Sequence, residues 1–86
     1  MPHWYLYVAR CGDGSLYTGI TTDPRERLKR HNAGRGSAYA RSKRPIVLVY
    51  TERCTNQSKA LRKEIEIKSW TRQHKLAWLK DHGCSI

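Results

Sequence analysis

Glu64 follows Ala60 by four residues and Leu61 by three. In a helix that spacing sets it within or beside the apolar stripe that Ala60, Leu61, Ile65 and Ile67 define, while Glu66 points elsewhere. A carboxylate at the margin of a core is paired, protonated, or bound to a metal. Helix geometry by itself favours a salt-bridged structural glutamate. Tyr7 and Tyr17 stand on either side of a turn cluster, Cys11-Gly12-Asp13-Gly14, with Gly19 two residues beyond. A phenol titrates near pH 10, so it acts as a base at neutral pH only where positive charge lowers that value. On residue type alone, both tyrosines are better explained by sheet packing, and Gly19 by the close approach of another group to a strand. Arg27 and His31 are i, i+4 neighbours on one side of a helix. A planar, permanently charged guanidinium suits a phosphate. The plainer roles are a solvated charge for Arg27 and, for His31, a helix-end residue favourable to the dipole when protonated. Cys11, Cys54 and Cys84 are odd in number and widely spaced, with no C-x-x-C. They support free thiols in a reduced compartment rather than a zinc or redox motif.

These residues need elements to place them. His3–Arg10 is aromatic and β-branched and suits a strand, with Trp4, Leu6 and Val8 on one face and Tyr5, Tyr7 and Ala9 on the other. Ser15–Ile20 resumes the strand pattern. A three-residue loop with Gly14 in the left-handed conformation pairs Cys11 with Ser15 and Ala9 with Tyr17, and sets Tyr7 and Tyr17 diagonally on one face. A two-residue loop would put them on opposite faces. Asp23-Pro24-Arg25-Glu26 predicts a helix start, with Asp23 as cap, Pro24 in the first helical position and Glu26 closing a capping box. That helix runs to about Ala33, stopped by Gly34. Residues 34–45 form a long basic loop, Ile46–Glu52 a third strand, Ser58 to Ser69 a second helix, and Thr71 caps a third helix reaching about Asp81. Trp4, Trp70 and Trp78 are expected in core or helix packing.

Seventeen Lys and Arg against seven Asp and Glu give a formal net charge of +10. So dense a positive field points to a polyanionic partner, first of all nucleic acid. Arg25, Lys29 and Arg30 on the first helix, and Arg35, Arg41, Lys43 and Arg44 in the loop, are the candidate phosphate contacts. No apolar stretch approaches the roughly 20 residues of a membrane helix, and the first residues lack the pattern of a signal peptide. The expectation is therefore one domain spanning residues 1–86, cytoplasmic, without membrane contact, and taken as a monomer.

In this order and on these elements, the residues resemble the GIY-YIG nuclease domain, most closely its small bacterial stand-alone members. Tyr5-Leu6-Tyr7 stands where the family has Gly-Ile-Tyr, and Tyr17-Thr18-Gly19 where it has Tyr-Ile-Gly. Asp23–Asn32 is similar to the segment that supplies the family's Arg and His, and Ala60–Glu64 to the one that supplies its metal-binding Glu. Tyr5 departs from the signature's first Gly, and no residue after Glu64 matches the Asn that several members carry there.

The resemblance implies an α/β fold, a three-stranded, mainly antiparallel sheet flanked by helices in the order ββαβαα. It implies a DNA endonuclease that hydrolyses phosphodiesters with one Mg²⁺ or Mn²⁺, in repair or recombination. Glu64 would be the sole protein ligand, which suits an ion that keeps most of its waters. Arg27 would neutralise charge building on the phosphate. Tyr7 or Tyr17 would orient or deprotonate the attacking water, and His31 would position a tyrosine or relay the proton. Two other functions fit the charge: a catalytically inert nucleic-acid-binding module on the same scaffold, and a small RNA-associated protein. The aromatic signature of common RNA-binding sheets is absent from the sequence.

Overall fold

A computed structural model describes residues 3–33 and 43–83. Three strands, β1 (Trp4–Arg10), β2 (Leu16–Thr21) and β3 (Val47–Cys54), and three helices, α1 (Pro24–Asn32), α2 (Gln57–Lys68) and α3 (Arg72–Asp81), follow one another as ββαβαα. The strands make one antiparallel sheet in the order β2-β1-β3. The central strand is therefore the one whose burial leaves least room for polar side chains: Leu6, Tyr7, Val8 and Ala9 are all buried.

The turn between β1 and β2 has the expected geometry. Gly14 takes φ +87°, a left-handed value that glycine adopts without a Cβ penalty. Cys11 N–H donates to the Ser15 carbonyl at 2.8 Å, and Ala9 pairs with Tyr17. The register that puts Tyr7 and Tyr17 on one face follows. β3 extends two residues beyond the expected Glu52, because Arg53 and Cys54 find partners in Tyr5 and Trp4.

Both sheet faces are covered. On one, Tyr7, Ala9, Cys11 and Ile46 form a buried cluster with Tyr17, Leu28 of α1 and Leu48 packed against it. On the other, Leu6 and Cys54 pack with Ala60 and Ile67 of α2, and Trp4, Trp70 and Trp78 close over them. Trp78 meets Trp70 and Tyr50 edge-on, with ring centroids 5.6 and 4.7 Å apart. The tryptophans thus serve packing, as expected. Cys11 and Cys54 are buried free thiols.

Helix starts follow the sequence closely. Asp23, Asn56 and Thr71 each accept a hydrogen bond from the backbone N–H three residues on. The capping box expected at α1 is only half made. The Asp23 N–H donates to Thr21 Oγ1 at 3.1 Å, so the role foreseen for the Glu26 side chain is taken by a residue ahead of the cap. The α2 stripe is also narrower than expected. Ala60 and Ile67 are buried, whereas Leu61 and Ile65 are 43% and 61% exposed.

Most of the expected basic loop, residues 34–42 with Arg35, Arg41 and the helix stop Gly34, lies outside the described residues. Where the chain is described again, Lys43 pairs with Asp13 of the hairpin turn and Arg44 donates to the Asn32 carbonyl at 3.2 Å. Asn32 itself bridges α1 to β3. Its Oδ1 accepts from the Ile46 N–H at 2.7 Å and its Nδ2 donates to the Ile46 carbonyl at 2.9 Å.

Candidate active site

Tyr7 is the centre of the site. It pairs with Gly19 on β2, and its ring lies across that glycine. A Cβ on Gly19 would stand 2.6 Å from the Tyr7 hydroxyl and 2.8 Å from Cζ. The glycine is therefore the space the phenol occupies, which is the close approach expected of a glycine inside a strand. The same lean brings the Tyr7 ring to Tyr17, centroids 6.1 Å apart and planes tilted by 32°.

α1 supplies the next layer. His31 is 4% exposed and meets the Tyr17 ring edge-on at 5.5 Å. It is not a surface residue at a helix end. Arg27, one turn earlier and half-buried, acts on both His31 and Tyr7 through its charge. It also lines a small cleft of about 160 Å³ with Thr21, Glu26 and Arg30. Arg25, Lys29 and Arg30 are exposed, as candidate phosphate contacts must be. Lys43 and Arg44, assigned the same role from the sequence, have partners within the chain.

Glu64 completes the set from α2, which packs on β1 and β2. Its side chain is 16% exposed and lies 3.5 Å from Lys68 Nζ, an i, i+4 pair. The expected ion pair is thus made, with a lysine that is itself 55% exposed, so it is worth little to stability. The same carboxylate acts electrostatically on Tyr7.

Two titrations are displaced. Burial, and then the neighbouring Tyr17, push the Tyr7 phenol well above its ordinary range; Arg27 pulls it back without overcoming them, and Glu64 adds to the rise. In the metal-free protein Tyr7 is therefore a protonated phenol at neutral pH. Burial, and then Arg27, lower the His31 imidazole below its ordinary 6.5. His31 is therefore neutral near pH 7 and able to accept a proton. Three buried polar atoms here make no hydrogen bond among the described residues: Tyr7 Oη, Thr18 Oγ1 and His31 Nδ1. Orphaned groups of this kind are rare, and two of the three belong to the candidate site.

Among the described residues, no three His, Cys, Asp or Glu side chains gather as a ligand cluster. The donor set is one hard, mostly buried carboxylate within electrostatic reach of the Tyr7 phenol. This fits a hard cation that retains its water, such as Mg²⁺ or Mn²⁺, and not an enclosed zinc centre.

Comparison with known proteins places this geometry. The model of the GIY-YIG catalytic domain matches residues 3–77. A UPF0213 protein from Staphylococcus haemolyticus is 46% identical over 81 residues, covering 94% of this chain and 99% of that protein. One from Streptococcus sanguinis is 49% identical over 77 residues, covering 90% and 88%. Among solved structures, the UPF0213 protein of Bacillus halodurans is similar with a TM-score of 0.61 at 38% identity, covering 91% of this chain and 83% of that one. A protein from E. faecalis is similar with a TM-score of 0.63 at 38% identity, covering 95% and 88%. With its family signature on β1 and β2 and a match over most of its length, the chain belongs to the GIY-YIG catalytic domain family.

Proposed function

We propose that this protein is a divalent-metal-dependent DNA endonuclease whose reacting groups are Tyr7, Tyr17, Arg27, His31 and Glu64. The observation that carries the reading is the chain of contacts from Tyr7, lying over Gly19, to Tyr17 and on to His31, with Arg27 of α1 and Glu64 of α2 both within electrostatic reach of Tyr7. The Tyr7 hydroxyl and His31 Nδ1, both buried, make no hydrogen bond among the described residues. Membership of the GIY-YIG catalytic domain family and the +10 charge support nucleic acid as the substrate class.

Glu64 would hold Mg²⁺ or Mn²⁺, which supplies Lewis-acid stabilisation of the phosphate and the leaving oxygen. Arg27 neutralises charge that develops on the phosphoryl oxygens, a role for a fixed cation in a partly water-excluded site. Tyr7, held protonated, donates a hydrogen bond and orients the attacking water or the phosphate. Tyr17 and His31 form a second pair that could accept the proton. His31 is neutral at pH 7, its Nδ1 has no hydrogen bond, and its ring rests on Tyr17. A role in DNA repair or recombination, action in the cytoplasm and a monomeric state complete the proposal.

The test is cleavage of supercoiled, linear, single-stranded and branched DNA by wild type and Glu64→Ala, with Mg²⁺, Mn²⁺ or EDTA. Metal-dependent cutting by wild type, lost on the order of 10²-fold or more in the folded variant, is the expected outcome. Equal cutting by both would remove Glu64 from the site. Salt-sensitive binding by both without cutting would instead identify an inert nucleic-acid-binding module.

A further inference from the structure

A cleft of about 450 Å³ opens between β1, β3 and the start of α1, lined by Tyr5, Thr22, Asp23, Arg25, Leu48 and Thr51. It is not part of the constellation around Gly19, and its size falls in the range of small-molecule sites. Tyr5 lies on the same strand face as Tyr7, two residues earlier, a displacement of about 7 Å along β1. Thr22 and Asp23 belong both to this cleft and to the smaller one that holds Arg27. The two openings are therefore neighbours around the first turn of α1.

The wall chemistry selects the ligand. Leu48 and the half-buried Tyr5 ring offer apolar, planar-compatible surface. The hydroxyls of Tyr5, Thr22 and Thr51 both donate and accept hydrogen bonds. The Asp23 carboxylate makes the cleft a poor place for a phosphate, but it can accept from an exocyclic amine. Arg25, exposed at the rim, is suited to a phosphate just outside. Apolar faces, a mixed donor and acceptor edge, and a flanking cation together describe a nucleobase on its sugar-phosphate chain.

We propose that the Tyr5 cleft is a nucleobase subsite, receiving an unstacked base of the bound strand close to the phosphate held by Arg27. The proposal rests on the reading of the protein as a nucleic-acid enzyme, but it is tested by binding and not by cutting. Fluorescence anisotropy is measured in EDTA with a single-stranded 12-nucleotide DNA and a series of copies, each lacking one base at a successive position. Wild type, Tyr5→Ala and Tyr5→Phe are compared. At one position, removal of the base weakens wild type about tenfold, the scale of one base stacked on an aromatic ring. Tyr5→Ala is weakened by a similar factor on the intact strand and shows no further loss at that position. Tyr5→Phe, which keeps the stacking face, behaves as wild type within about threefold. Equal effects of base removal in wild type and Tyr5→Ala at every position would overturn the subsite while leaving the nuclease reading untouched. Coupling at one position in a protein that cleaves no DNA with Mg²⁺ or Mn²⁺ would keep the subsite and remove the nuclease reading.

Discussion

At the scale of single residues, the candidate site shows stability set against function. Tyr7 is 1% exposed, and its hydroxyl is buried without a hydrogen bond. A group in that state costs folding free energy. Tyr7→Phe is therefore expected to leave stability unchanged or raise it by up to ~1 kcal/mol, while metal-dependent cleavage falls. Urea midpoints beside cleavage rates check both halves. Gly19→Ala attacks the same contact from the other side. The new Cβ would stand 2.6 Å from the hydroxyl, and the buried ring has little room to retreat. A loss of ~1–3 kcal/mol is expected. Adding Tyr7→Phe removes the nearest atom but leaves Cζ at 2.8 Å and Cε1 at 2.9 Å, so the double variant recovers only part of that loss. Additivity of the two changes would show that the ring had moved away elsewhere. His31 gives the pH dependence. Its folded pKa lies below the ordinary 6.5, so between those two values the unfolded chain binds more proton than the folded one. The contribution of His31 to stability is complete above about pH 6.5 and declines as the pH falls toward the folded value. Urea midpoints of wild type and His31→Gln from pH 5 to 8 should diverge below pH 6.5 and run parallel above it.

At the scale of elements, α2 holds Glu64 beside Lys68, a cation that would compete with the proposed metal. Lys68 lies 3.5 Å from Glu64 but is more than half exposed, so the pair is held loosely. Lys68→Gln should strengthen divalent-metal binding about two- to threefold, the scale of an exposed i, i+4 ion pair, with little change in helix stability. A Mg²⁺ or Mn²⁺ titration of binding or cleavage measures it. An unchanged half-saturation would place the metal away from this carboxylate. The position of Glu64 was legible in the sequence because helical spacing fixes the angle between side chains. The exposure of Leu61 and Ile65 was not, since spacing does not say how wide a strip of α2 the sheet covers. The hairpin was legible for a similar reason: a three-residue turn with Gly14 determines register, and register determines that Tyr7 and Tyr17 share a face. The half-made capping box at α1 was not, because Thr21 reaches the Asp23 N–H from a strand end whose path is set by tertiary pairing. The clamp of Asn32 on Ile46 joins residues 14 apart in sequence and has no local signature.

At the scale of the whole molecule, the charge of +10 was plain from composition, but its distribution is a product of the fold. Lys43 and Arg44 make contacts with Asp13 and Asn32, and Arg25, Lys29 and Arg30 stand exposed on α1, the helix that also carries Arg27 and His31. The first helix is thus both a wall of the candidate site and an exposed electropositive surface. A strand held with its phosphate at Arg27 would run along those three cations. Each phosphate they neutralise releases counterions, contributing about 0.7 to the slope of log affinity against log salt for a single strand, and about 0.9 for duplex. Replacing Arg25, Lys29 and Arg30 together by alanine should therefore lower the magnitude of that slope by about 2–3, measured by anisotropy between 50 and 200 mM salt in EDTA. The weakening should be uniform across sequences, because phosphate contacts carry no base information. A triple variant with the wild-type slope would move the nucleic-acid path off α1, leaving Arg27 to meet its phosphate from the α2 side of the site.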